Sequence, residues 1–71
     1  MKIGIIGAMA SEVREFCVEF GAEIPEVGRV AHAAFGKHEI FICESGIGKV
    51  NAAITAQKLI DIYGAECLIN S

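Results

Sequence analysis

The segment ESGIGKVNAA, residues 44–53, sets two glycines and a lysine between a β-rich run and a helical one. A glycine-rich turn that opens a helix can cradle phosphate on its backbone N–H groups, so two nucleotide-binding patterns are worth testing against it. A P-loop requires G-x-x-x-x-G-K followed by Ser or Thr, whose hydroxyl ligates magnesium. The position five before Gly48 is Cys43, and Val50 follows Lys49, so that pattern fails twice. A dinucleotide pattern, G-x-G-x-x-G/A, comes closer, with Gly46, Gly48 and Asn51, and with Glu66 downstream for a ribose hydroxyl. Asn51, however, puts a side chain where close helix–strand packing wants almost none, and the incoming strand belongs to a hairpin. The remaining reading is a tight strand-to-helix turn, for which two glycines suffice.

Glu12 is the second candidate, an acidic residue just inside a predicted helix; the helix dipole favours a carboxylate there whatever its function. The other chemistry-bearing residues are dispersed. Cys17, Cys43 and Cys67 form no CxxC pair, which fits reduced thiols and a cytoplasmic compartment. His32 and His38 fall in a predicted hairpin without Cys or carboxylate at ligand spacing, so they read as surface or strand residues, and no metal or cofactor is expected. Nine acidic and six basic residues, scattered to a net charge of −3, give no electrostatic footprint for nucleic acid or an anionic membrane.

These residues must be positioned by few elements. A chain of 71 residues builds one small core at most, and a domain of that size buries only ~60% of its unfolded surface. Yet 54% of the residues are hydrophobic, and several apolar runs lack polar alternation, as strands covered on both faces do. KIGIIG (2–7) is such a run. Lys2, IGIIG and AMA before Ser11 mimic a secretory signal, but the apolar stretch is short, holds two glycines and runs straight into an amphipathic helix. That helix has Ser11 as its predicted N-cap, Val13, Phe16, Cys17 and Phe20 on one stripe, and Gly21 at its end.

A proline- and glycine-containing loop leads to RVAHAAFGKHEIFICES, two strands turning at Gly36-Lys37 and spanning residues 29–44. From Gly48 to Tyr63 the helical period returns. Ala52, Ala53, Ala56, Leu59, Ile60 and Tyr63 form one wide stripe, with Asn51, Thr55, Gln57, Lys58 and Asp61 largely opposite, and Gly64 closes the helix. ECLINS begins a last apolar strand, expected beside residues 2–7 and parallel to them. The order is β-α-β-β-α-β. A buried-type strand with no covering layer implies that residues 1–71 are the N-terminal part of a larger single α/β domain.

MKIGIIGAMASEV, then SGIGKVNAA, then LINS resembles in order and spacing the N-terminal part of the methylthioadenosine/S-adenosylhomocysteine nucleosidases, within the purine nucleoside phosphorylase and nucleosidase superfamily. The likeness covers nearly the whole chain and is weakest over residues 19–34. It implies a three-layer α/β fold with a mixed central sheet. It also implies a homodimeric, metal-independent hydrolase that releases adenine from 5′-substituted adenosines, with a small-molecule nucleoside as its partner. On this resemblance Ala8 and Met9 line the ribosyl and alkylthio pocket, Glu12 positions and deprotonates the attacking water, and Ile47 touches the 5′-substituent. Asn70 and Ser71 match the start of an Asn-Thr-Gly segment, with serine for threonine. The residues that bind purine and ribose and protonate adenine would lie downstream. A dinucleotide-binding module of an oxidoreductase and a non-catalytic truncated chain are the alternatives.

The chemistry agrees with the residues present. Cleaving an N-glycosidic bond through an oxocarbenium-like state builds positive charge on the sugar, so a nearby carboxylate can stabilise that charge while it takes a proton from water. The related phosphorylases bind phosphate in this region. A carboxylate would repel that anion, which favours water as the nucleophile.

Overall fold

The computed structural model describes residues 1–26, 28–46 and 48–70. Its elements are β1 (Lys2–Gly7), α1 (Ala10–Phe20), β2 (Val30–Phe35), β3 (His38–Glu44), α2 (Lys49–Asp61) and β4 (Cys67–Asn70), in the order the sequence predicts. They build a four-stranded mixed sheet ordered β2-β3-β1-β4. β1 is parallel to β3 on one side and to β4 on the other, as expected for the two apolar end runs. β2 and β3 form the antiparallel hairpin, closed by the Phe35–His38 pair around Gly36-Lys37.

Successive strand residues point to opposite faces, and here each face carries its own helix. Ile5, Ala31, Ala33, Ile40 and Ile42 pack with Val13 and Cys17 of α1. Ile6, Phe41 and Cys43 pack with Leu59 of α2 and with Ala65. The result is a three-layer α/β/α arrangement. It explains the unpatterned apolar runs of β1 and β3, since neither face of these strands meets water. Leu59 is fully buried, and enclosing a leucine side chain stabilises by roughly 1.5–3 kcal/mol. β4 is less covered, and Ile69 remains 47% exposed.

The predicted stripe of α1 faces the sheet, with Val13 and Cys17 buried and Phe16 and Phe20 packed beside them. Gly21 terminates the helix in the left-handed region at φ 72°. The N–H of Gly21 bonds the Val18 carbonyl and that of Ala22 the Cys17 carbonyl, which satisfies two orphan acceptors of the last turn. The start differs from expectation. The N-cap is Met9 rather than Ser11, because the helix is closed by the Glu12 carboxylate and not by a serine hydroxyl.

α2 also departs from its predicted limits and stripe. It spans Lys49–Asp61 rather than reaching Tyr63. The chain then unwinds through Gly64, whose N–H bonds the Ile60 carbonyl, while the Ala65 N–H bonds that of Leu59. Thr55, predicted for the polar side, is buried, whereas Ala53 and Ile60, predicted for the core stripe, are exposed. The cause is composition. Val50, Ala53, Ile54 and Ile60 continue the apolar surface around the helix, so period alone could not select the face that meets the sheet.

Candidate functional site

The chain leaves β1 toward the β3 side and leaves β3 back across β1 toward β4, with its two helices on opposite faces of the sheet. The reversal occurs at the carboxyl ends of β1 and β3, where open α/β sheets part and hold ligands. Gly7 and Glu44 are register partners there, and the Ser45 N–H donates to the Gly7 carbonyl at 2.9 Å. The two motifs singled out in the sequence therefore meet at one edge. Asn70, paired with Ile6 on the other side of β1, joins them.

Only Ala8 and Met9 separate β1 from α1. Met9 is extended at φ −129°, ψ 152°, and its carbonyl accepts the Glu12 N–H at 3.1 Å and the Val13 N–H at 3.3 Å. Its own N–H donates to Glu12 Oε1 at 3.1 Å. The carboxylate is thus folded back over the start of its helix and held by a backbone donor, one half of a capping box. Glu12 and Ala8 are half-buried, and Met9 is 55% exposed. The structure brings Ala8, Met9 and Glu12 together at the strand ends beside the residue 45–48 turn. Ile47, the fourth predicted contact, lies outside the described residues, as does Ser71.

The three residues make one wall and not an enclosed pocket. A cavity of about 120 Å³ lies next to them, lined by Val13, Arg14, Pro25, Arg29 and Glu44 among others, but by none of the three. The predicted histidines sit elsewhere, on the hairpin. His32 stacks on Phe41 at 4.9 Å between ring centroids and lies 3.4 Å from the Glu39 carboxylate. Among the described residues no group of three or more His, Cys, Asp and Glu side chains is placed to hold a metal ion. All three cysteines are free. Burial pushes the Cys17 thiol up, which leaves it a packing residue and not a nucleophile. No helix of the described residues is long and apolar enough to cross a membrane.

The second glycine turn is built differently. Gly48 caps α2 at φ 116°, ψ 150°, without a side-chain hydrogen bond and with no acidic residue in the first turn. Asn51 is exposed, and its Nδ2 would lie 3.7 Å from a Cβ at Gly46. The position that a dinucleotide site reserves for close packing therefore carries a polar side chain at the turn.

The profile of the phosphorylase superfamily matches residues 2–71. The chain belongs to the phosphorylase superfamily. Within that superfamily, the 5′-methylthioadenosine/S-adenosylhomocysteine nucleosidase of Buchnera aphidicola subsp. Acyrthosiphon pisum (strain Tuc7) is 39% identical over 74 residues, covering 100% of this chain and 32% of the relative. The crystal structure of the Campylobacter jejuni enzyme of the same name superposes with a TM-score of 0.86 at 32% identity, over 99% of this chain and 32% of that one. The native structure of futalosine hydrolase of Helicobacter pylori strain 26695 gives a TM-score of 0.86 at 29% identity, over 100% and 32%. The chain spans about a third of the length of these superfamily members. The architecture of this superfamily is the one expected from the paired glycine motifs.

Proposed function

We propose that residues 1–71 form the N-terminal part of a single-domain nucleosidase that hydrolyses the N-glycosidic bond of 5′-methylthioadenosine, S-adenosylhomocysteine or a related 5′-modified adenosine. The observation that carries the reading is the Glu12 carboxylate, held by the Met9 N–H at the switch point between β1 and β3. Glu12 orients a water and accepts its proton as the water oxygen bonds the anomeric carbon; the bond from that carbon to the base breaks, and its electron pair leaves with adenine. A general base must lie within about 2.6–3.2 Å of the proton's oxygen, and a fixed carboxylate meets that demand better than a mobile one. Ala8, Met9 and Ile47 contact the sugar and its 5′-substituent. The acid that protonates the departing base lies in further chain, so these residues alone are inactive.

The names of the relatives support the substrate class; a role in methionine salvage belongs to the same proposal, and the free cysteines support a cytoplasmic compartment. The exposed apolar flank of α2, with Val50 73% and Ile54 64% accessible, supports burial against further protein, as a homodimer would provide. The futalosine hydrolase likeness favours one second reading, the same bond cleavage on futalosine. The dinucleotide-binding alternative has no such support.

The test is release of the free purine base, identified by chromatography, from each nucleoside by the full-length polypeptide that carries these residues. Turnover of methylthioadenosine and S-adenosylhomocysteine is expected. Turnover of futalosine with both adenosines untouched would replace the first reading with the second, and turnover of none of the three would remove both.

A further inference from the structure

We infer that Gly7 is a positioning residue for Glu12, an inference that rests on Glu12 being the base. Gly7 is buried at the last position of β1, on the face that α1 covers. It is not among the residues with positive φ, so its backbone suits any L-residue. Space is what excludes a side chain. A Cβ at Gly7 would stand 3.1 Å from Val13 Cγ2, 3.2 Å from Glu12 Cβ and 3.4 Å from the Val13 backbone nitrogen. All three atoms belong to the first turn of α1, and the last two cannot rotate away.

Gly4 offers the contrast. A Cβ there meets Leu68 Cδ2 at 2.8 Å and Leu59 Cδ1 at 3.0 Å, the far ends of flexible side chains. Gly4 makes room for packing, whereas Gly7 makes room for the backbone that carries Glu12. Gly7 cannot easily retreat from an added methyl, because it is paired with Glu44 of β3, its carbonyl accepts the Ser45 N–H, and the preceding Ile6 is held between Cys43 of β3 and Asn70 of β4. The strain therefore falls on the first turn of α1. That turn moves outward by a few tenths of an ångström and takes with it the carboxylate that the Met9 N–H holds.

The experiment is a double-mutant cycle of Gly7→Ala and Glu12→Gln in the full-length polypeptide, with kcat and KM on methylthioadenosine and thermal midpoints measured for each variant. A displacement of about 1 Å can cost ~10²-fold, so the smaller shift from Gly7→Ala should lower kcat roughly 10-fold with KM within about twofold. With Glu12→Gln already present, Gly7→Ala should change kcat by less than about twofold, since no base is left to misplace. An equal loss in both backgrounds, or no loss in either, would overturn the inference and leave the base assignment standing. A near-normal kcat for Glu12→Gln alone would instead overturn the base assignment, and this inference with it. If Gly7→Ala alone does not yield folded protein, the cycle is run on Val13→Ala. That change removes the nearest methyl but leaves the Glu12 contact, so the loss of kcat should persist while the thermal midpoint recovers. Recovery of both would make Gly7 a packing residue only.

Discussion

The chain makes the transition from parallel strand to helix twice, and the two turns are solved in opposite ways. Between β1 and α1 two residues suffice, Gly7 is pressed against the helix it precedes, and a carboxylate closes the first turn. Between β3 and α2 the turn is longer. Gly48 faces open space in a conformation that other residues avoid, and no side chain caps the helix. The first turn fixes a charged group; at the second, Gly46 and Gly48 carry no side chain, and no atom lies within 4 Å of a Cβ placed at Gly48. The hydrolytic site proposed above would use both, a base held still and a surface against which a substrate can lie close. On the proposed function, the difference would also put the base at the first turn and not at the more conspicuous glycine motif.

The largest expected effect separates the turns by chemistry. Glu12→Gln keeps an acceptor for the Met9 N–H, so the turn should stand while the base and its charge are lost. Removal of a general base typically costs ~10²–10⁴-fold, and loss of charge beside an oxocarbenium adds to it. The fall should appear in kcat far more than in KM, because the group acts mainly in the transition state. Adenine release at a near-normal rate would return Glu12 to an ordinary acidic helix start.

The second effect reads the other turn. Gly48 at φ 116°, ψ 150° occupies a region that is essentially restricted to glycine. Nothing lies within 4 Å of an added Cβ, so Gly48→Ala isolates backbone strain from crowding. A loss of about 1–3 kcal/mol in urea unfolding is expected. An unchanged midpoint would mean that the turn relaxes to a conformation open to any residue, and the contrast between the turns would weaken.

Much of this was legible in the residues. The β-α-β-β-α-β order follows from two kinds of periodicity, and the hairpin from a glycine between two β-rich runs. Gly21 and Gly64 mark chain reversals because left-handed backbone after a helix is most accessible to glycine. The family was legible from two motifs in the right order. What could not be read were the features set by contact. Thr55 faces the sheet and Ile60 does not because α2 is apolar around most of its surface, so the packed face is chosen by the sheet and not by the pattern. The site was legible as residue types, while the hydrogen bond that holds Glu12 depends on a backbone donor that no side-chain pattern announces.

The smallest expected effect tests the one cap that sequence reasoning misplaced. Ser11 has the residue type of an N-cap and precedes an amphipathic run, and at a true N-cap serine-to-alanine costs about 1 kcal/mol. Here Met9 is the cap, which puts Ser11 two residues inside the helix, where it is exposed. At that position its hydroxyl closes no orphan N–H of the first turn. Alanine has the higher helix propensity, so Ser11→Ala should be neutral or stabilising by a few tenths of a kcal/mol. It should also leave kcat within about twofold, since the Met9–Glu12 bond is untouched and a cost of that size requires a disturbed base. A destabilisation near 1 kcal/mol in chemical unfolding would restore Ser11 as the cap, shift the start of α1 by about half a turn, and leave Glu12 without the geometry on which its role depends.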